Sequence, residues 1–211
     1  MEGTSPQRPR ASSASSEPRR EQILDVALKL LAERGYRDTT MLEVARRSSA
    51  SKETLYAWFG NKTRFFQTLI AHNAEPFLQA LHQHLDGDAT VEAALTGFGR
   101  RMAAHLLGDN AVAILRAAVS EASSDPSLAD CLSGLVGEPI HAAFVRYLEQ
   151  CHARGLLHVE DPDEAADAFV GLLLGDALIQ RLLGVLDAPC EKDIEVRATR
   201  ATRRFLRLHH V

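Results

Sequence analysis

The 211-residue sequence predicts an all-α protein, with a small three-helix unit near its start and a larger helical domain behind it. Three observations carry that reading. Apolar residues recur at three- and four-residue steps through most of the chain, the spacing of one helix face. No alternating stretch is long enough for a useful strand. Ser, Thr, Asp and Pro stand repeatedly where helices begin, and Gly where they end.

Taken in order, residues 1–19 (MEGTSPQRPRASSASSEPR) have almost no apolar content, cannot offset the entropy of ordering and are expected to form a disordered tail bearing Arg8, Arg10 and Arg19. Ile23, Leu24, Ala27, Leu28, Leu30 and Leu31 then form one apolar stripe that stops before Gly35, a natural left-handed helix end. Thr40-Met41-Leu42-Glu43 is a capping box, in which hydroxyl and carboxylate each satisfy an orphan backbone N–H, so a second helix starts there with Met41, Val44 and Ala45 inward. After Ser48-Ser49-Ala50, Ser51 caps a third helix anchored inward by Leu55 and Phe59. A fourth helix runs from Lys62 through Phe66, Leu69, Ile70 and His72 to Pro76, where a missing backbone donor predicts a kink or break. Further helices are read at about 90–107, 110–123, 126–136, 138–155, 162–184 and 190–208. The clearest starts are Asp125-Pro126 and Asp161-Pro162, an Asp cap followed by Pro in the first turn. The division expected is a tail over 1–19, a head over 20–66 and a second domain over 67–211.

With 45% hydrophobic and 25% charged residues, the composition excludes collagen-like, wholly disordered and disulfide-scaffold proteins. No unbroken apolar run reaches the roughly 18 residues of a membrane span. Phe169 to Leu183, the longest candidate, is interrupted by Gly171, Gly175, Asp176, Gln180 and Arg181, so a soluble chain without membrane partners is expected. Cys131, Cys151 and Cys190 form neither a CxxC pair nor a disulfide framework, and the Ser/Arg/Pro-rich start lacks the apolar core of a secretory signal. A cytoplasmic setting follows. Charge is uneven: residues 1–70 hold 12 Lys and Arg against 8 Asp and Glu, the remainder 12 against 20. That asymmetry fits a polyanion partner at one end, or simply a solvated face.

The third helix carries the chemistry. With Leu55 and Phe59 inward, Lys52, Glu53, Tyr56 and Ala57 point outward at 100° per residue. Such a face suits a groove of base edges and phosphates: Lys donates to guanine acceptors, Glu accepts from cytosine, and Tyr donates to phosphate. A short helix, a tight turn and this helix make a helix-turn-helix unit, whose second member enters the major groove of double-stranded DNA. Trp58, beside the inward stripe, serves packing or phosphate contact equally. Lys62 adds a full charge where the next helix start already attracts phosphate, and Thr40 does so more weakly for the second helix. Nothing catalytic, metal-binding or cofactor-binding is evident: His82 and His84 are two apart, His209-His210 sits at a terminus expected to fray, Cys151 beside His152 reads as an inert thiol, and GxSxG, P-loop and GxGxxG patterns are absent.

Arg20 to Ile70, about a quarter of the chain, resembles the DNA-binding domain of the tetracycline-repressor (TetR/AcrR) family, above all in Gly35-Tyr36, Thr39-Thr40, Val44-Ala45, Ser51 to Phe59, Asn61-Lys62 and Phe65-Phe66. The resemblance implies an all-helical homodimeric transcription factor, most often a repressor released from operator DNA by a small molecule in its C-terminal ligand-binding and dimerisation domain. It places Thr40, Lys52, Thr54, Tyr56, Trp58 and Lys62 at DNA-contact positions, and the last two long helices at the dimer interface. One departure is visible: Ser49 stands where the turn usually carries Gly. For the effector pocket, Phe98, Met102, His105, Leu115, Phe144, Tyr147, Phe169 and Leu173 are candidates, though pockets and cores share composition and plain core is the commoner role for each. Asp176 is expected to be semi-buried against an Arg across the dimer seam. The competing reading is a helical small-molecule-binding or interaction protein without operator activity.

Overall fold

Helix α1 (Ser13–Asp38) opens the fold in a computed structural model that describes residues 13–85 and 89–209, with side chains described from 17 to 80 and from 89 to 209. Its stripe of Ile23, Leu24, Ala27, Leu28, Leu30 and Leu31 is fully buried, as the periodicity requires. The helix breaks at Gly35, whose φ of 77° suits a residue without a side chain. Residues 13–19, read as part of the tail, are helical. They extend α1, because Arg19 and Arg20 find carbonyl acceptors on the head that a composition count does not see. Residues 1–12, with Arg8 and Arg10, lie outside the described residues.

Two short helices, α2 (Met41–Arg47) and α3 (Lys52–Phe59), complete the head. Helix α4 (Lys62–Leu85) leads out of it and, against expectation, continues through Pro76. One missing donor was affordable there because Ala74 and Phe77 hold the helix against the core. The side chains of His82 and His84 lie outside those described.

The second domain consists of α5 (Val91–Leu106), α6 (Asp109–Glu121), α7 (Ser127–Leu132), a π-helical turn (Ser133–Gly137), α8 (Glu138–Ala153), α9 (Pro162–Leu174), α10 (Ala177–Leu183) and α11 (Glu191–Leu208). Ser127–Ala153 is long and apolar enough to cross a membrane by length and composition, yet Leu128, Val136, Ile140, Phe144 and Leu148 along it are buried in the protein core. The single helix expected over 162–184 is two. Gly175, at φ 51° and ψ −129°, ends α9, and Asp176 precedes α10 as an exposed residue bonded to Gln180. Within the single chain Asp176 is thus exposed rather than semi-buried, and its expected partner across a dimer seam is not part of this chain. The buried ion of this region is Arg181, whose guanidinium donates to Leu107 O, Leu186 O and Asp109 Oδ1 within the same chain.

Helix α11 packs along α5 and α9, with Gly99 of α5 at the crossing: a Cβ there would stand 3.3 Å from Leu173 Cδ1 and 3.4 Å from Ala198 Cβ. His209 does not fray. Its Nδ1 and O bond His158 O and His158 N at 3.0 and 2.9 Å, and its ring lies on Phe205. His210 is outside the described residues. Head and second domain meet along α4 and where α6 packs on α1.

Candidate nucleic-acid interface and effector cavity

The turn between α2 and α3 is a Schellman ending: Ala50 N–H reaches Ala45 O at 2.9 Å and Ser49 N–H reaches Arg46 O at 3.3 Å. It needs a left-handed residue, and Ser49 supplies it at φ 52°, the one positive φ outside glycine among the described residues. The neighbouring Ser48 hydroxyl is buried and donates to Val44 O at 2.7 Å. Two arginines of α1 brace this unit from behind. Arg19 donates to Ser48 O and, at 3.1 Å, to Ser49 O. Arg20 donates to Trp58 O at 2.8 Å, its guanidinium 5.4 Å from the Phe59 ring centre. Arg19, at the end of the expected tail, and Arg20, at the start of the expected head, thus together hold both ends of α3.

Of the residues read as DNA contacts, Thr40, Lys52 and Tyr56 are exposed, Tyr56 with 45% of its surface free, and the Lys52 ammonium lies 5.7 Å from the Tyr56 ring centre. Thr40 Oγ1 accepts from Glu43 N–H at 3.2 Å and keeps its own proton for a donor role. The reciprocal half of the expected capping box does not form: Thr40 N–H goes to Asp38 O, and the Glu43 carboxylate goes to Arg46 at 2.7 and 2.9 Å and Arg34 at 3.3 Å. The bond from Arg46, then the charges of Arg46, Arg34 and Arg47, hold the Glu43 carboxyl below the ordinary carboxylate range. Helix α2 therefore offers less free positive charge than its sequence implies.

Glu53 is exposed as well. Its carboxylate accepts from its own backbone N–H and the Ser51 hydroxyl, which lowers its pKa. Thr54 is half-buried with its hydroxyl 2.9 Å from Ser51 Oγ, and Trp58 is half-buried against the core, edge-on to Phe59. Lys62 is the least expected. Its ammonium donates to Tyr36 O at 2.8 Å and lies 3.9 Å from the Tyr36 ring centre. Burial pulls its pKa down, while Glu121 of α6 and Asp38 push it up. The Lys62 contact thus joins the end of α1 to the start of α4, beside α6.

In the second domain an apolar cavity of about 380 Å³ opens between α5, α6, the π-turn, α8 and α9. Four of the candidates line it: Phe98, Met102, Leu115 and Phe144. The others are elsewhere. His105 stacks on Phe77 at 4.6 Å, its pKa lowered by burial. Tyr147 lies beyond Phe144, its phenol pushed well above its ordinary range by burial first and by Cys151 second. Phe169 and Leu173 are fully buried core, Phe169 wedged among Phe98, Phe144 and Phe205. The sequence reading missed Val136, Ile140, Ala166 and Val170 of the wall and the polar Ser133, His141 and Asp167 at its edge. The π-turn widens the helix locally and swings Val136 inward; the available signal was Gly134 and Gly137 flanking Leu135-Val136. Burial raises the Cys151 pKa, which keeps it a thiol, and among the described residues no group of three His, Cys, Asp or Glu could hold a metal ion.

Comparison with known proteins decides the family. Residues 93–210 match the family model described as AefR-like transcriptional repressor, C-terminal domain, and residues 23–69 match bacterial regulatory proteins, tetR family. The chain belongs to the tetR family. It is a DNA-binding transcriptional regulator with an N-terminal helix-turn-helix head and a helical C-terminal domain. This tetR-family chain is 26% identical over 182 residues to the HTH-type transcriptional regulator YvkB of Bacillus subtilis (strain 168), an alignment covering 84% of this chain and 92% of that one. A TetR transcriptional regulator from Agrobacterium tumefaciens is 30% identical with a TM-score of 0.72, over 91% of this chain and 94% of the other. A TetR-family regulator from Mesorhizobium loti superposes with a TM-score of 0.82 at 23% identity, covering 93% and 98%, and shows the shared fold.

Proposed function

We propose that this tetR-family regulator is a cytoplasmic, homodimeric repressor that leaves operator DNA when a small effector enters the cavity, and that it acts by binding, not catalysis. One observation carries the release step. Helix α6 places Leu115 in the cavity wall, and the same helix packs along α1 of the head. Its Arg116 also donates to Arg181 O and Leu182 O of α10 at 2.7 and 2.9 Å. A ligand that displaces Leu115 moves an element packed against the head on one side and bonded to α10 on the other. Helix α4 contributes no residue to the cavity wall among those described, so α6 is the shorter route.

The dimer reading rests on exposed apolar side chains: Ile179 and Leu183 on α10, Val185 after it and Val196 on α11, with Leu183 and Val185 72% and 76% exposed in the single chain. Pairing through the last helices covers them and relates two heads by a two-fold axis. Half-sites in the operator then lie about 34–36 Å apart or a multiple of that. Lys52 and Tyr56 supply base and phosphate contacts, Thr40 and Trp58 further phosphate contacts, and Lys62 and Thr54 hold the head in shape.

The test is footprinting and gel shift on DNA upstream of the protein's own gene at several salt concentrations, with sedimentation of wild type and Leu183→Glu. Protection of two spaced half-sites, steep salt dependence and a monomeric Leu183→Glu variant are expected. Binding equal at every sequence, or a wild-type monomer, refutes the reading.

A further inference from the structure

The effector cavity is apolar in its depth and acidic at its edge, and this combination bears on what it holds. Phe98 and Phe144 stack at 4.2 Å and Met102, Leu115 and Ile140 complete the inner wall, so a ligand's body gains by leaving water. Polar groups are confined to one side. There Asp167 is the one formally charged residue in the wall and His141 the one titratable base, and no Lys or Arg lines it among the described residues.

His141 can neutralise at most one of the negative charges on that side. Its ring nitrogens stand 3.6 Å from Asp167 Oδ1 and 3.8 Å from Asp163 Oδ1, too far for hydrogen bonds. Ser133, the third polar lining residue, donates to a further carboxylate, Glu138, at 3.4 Å. Two carboxylates, Asp163 and Asp167, therefore flank one imidazole, with Glu138 on Ser133 beyond them, and the edge stays net negative even when His141 carries a proton. Arg101 of α5 is absent from the wall and donates to Gly97 O at 3.3 Å.

Resting on the effector reading above, we infer that the cavity takes an amphipathic ligand with an apolar body and a single positive charge, its cation seated against Asp167 at the His141 edge. A carboxylate or phosphate head would meet the acidic edge with no cation to receive it. The like-charge juxtaposition is unfavourable and discriminates against acyl anions of the same length.

The experiment is calorimetric titration of the full-length protein with dodecyltrimethylammonium, dodecanol and dodecanoate, which share one tail, each kept below micelle formation. The expected order is cation, alcohol, carboxylate, with about tenfold between the extremes. Asp167→Asn should weaken the cation by about fivefold, the upper end for an ion pair at an exposed edge, and leave dodecanol unchanged. Ile140→Trp, which fills the cavity, should abolish binding of all. Dodecanoate binding as tightly as the cation, an unaltered cation affinity in Asp167→Asn, or cation binding that survives Ile140→Trp overturns the charge assignment while leaving the effector reading in place. If none of the three probes binds, the effector cavity itself is refuted.

Discussion

Replacing Arg19 with Ala tests whether the head depends on a brace outside its own three helices. Arg19 donates to Ser48 O and Ser49 O, the carbonyls of the one turn among the described residues whose left-handed residue is not glycine. A left-handed Ser costs about 1 kcal/mol, and two charge-assisted bonds, one of them partly buried, return roughly 1–2 kcal/mol. Removing them leaves the turn near balance, so Arg19→Ala should lower stability by about 1–2 kcal/mol and operator affinity by up to about tenfold as the reading conformer loses population. Loss of a positive charge near DNA would weaken binding as well. A double-mutant cycle separates the two: in a Ser49→Gly background the turn needs no brace, while the charge effect is unchanged. Urea unfolding and gel shift on the four proteins should give a coupling of about 0.5–1 kcal/mol, with Arg19→Ala milder beside Gly. Equal losses in both backgrounds would refute the brace.

Three further outcomes are expected. Lys62→Ala should destabilise the protein by about 1–2 kcal/mol in urea, because it loses the Tyr36 carbonyl bond and the ring contact; unchanged stability with a flatter salt dependence would mean that Lys62 serves phosphate instead. Lys52→Ala should relax base preference at one operator position by about 1–3 kcal/mol, and a selection profile identical to wild type would sink that role. His105 has its pKa lowered from 6.5 by burial, so the unfolded chain takes the proton first as pH falls. Stability is then full above the ordinary histidine value and declines through the window below it, and His105→Phe should flatten the urea midpoint between about pH 7 and 5.

Much of the head was legible in sequence because its signals are local. The stripe from Ile23 to Leu31, the Ser51 cap and the Leu55/Phe59 anchor each follow from spacing over a turn or two, and each stands as read. Gly35 breaks the helix where the stripe predicts, with a positive φ but at ψ 178° rather than in the left-handed helical conformation. Side-chain destinations were less legible. Glu43 reads as a box partner for Thr40 until Arg46 and Arg34 claim it, and Lys62 reads as a surface cation until Tyr36, 26 residues earlier, supplies a carbonyl and a ring face.

The sequence by itself determined that the chain is helical through most of its length and which side of most helices is apolar; that Ser49 stands where the turn usually carries Gly came from the family resemblance. Tertiary structure decided what those faces meet. The break at Gly175, the cavity left by the π-turn, and the reach of Arg19 across 29 residues to the turn all depend on contacts between segments far apart in the chain. Helix periodicity is set by a backbone repeat of a few residues and can be read from neighbours. A cavity, a brace or an ion pair is a coincidence in space of residues whose separation along the chain carries no information about their distance.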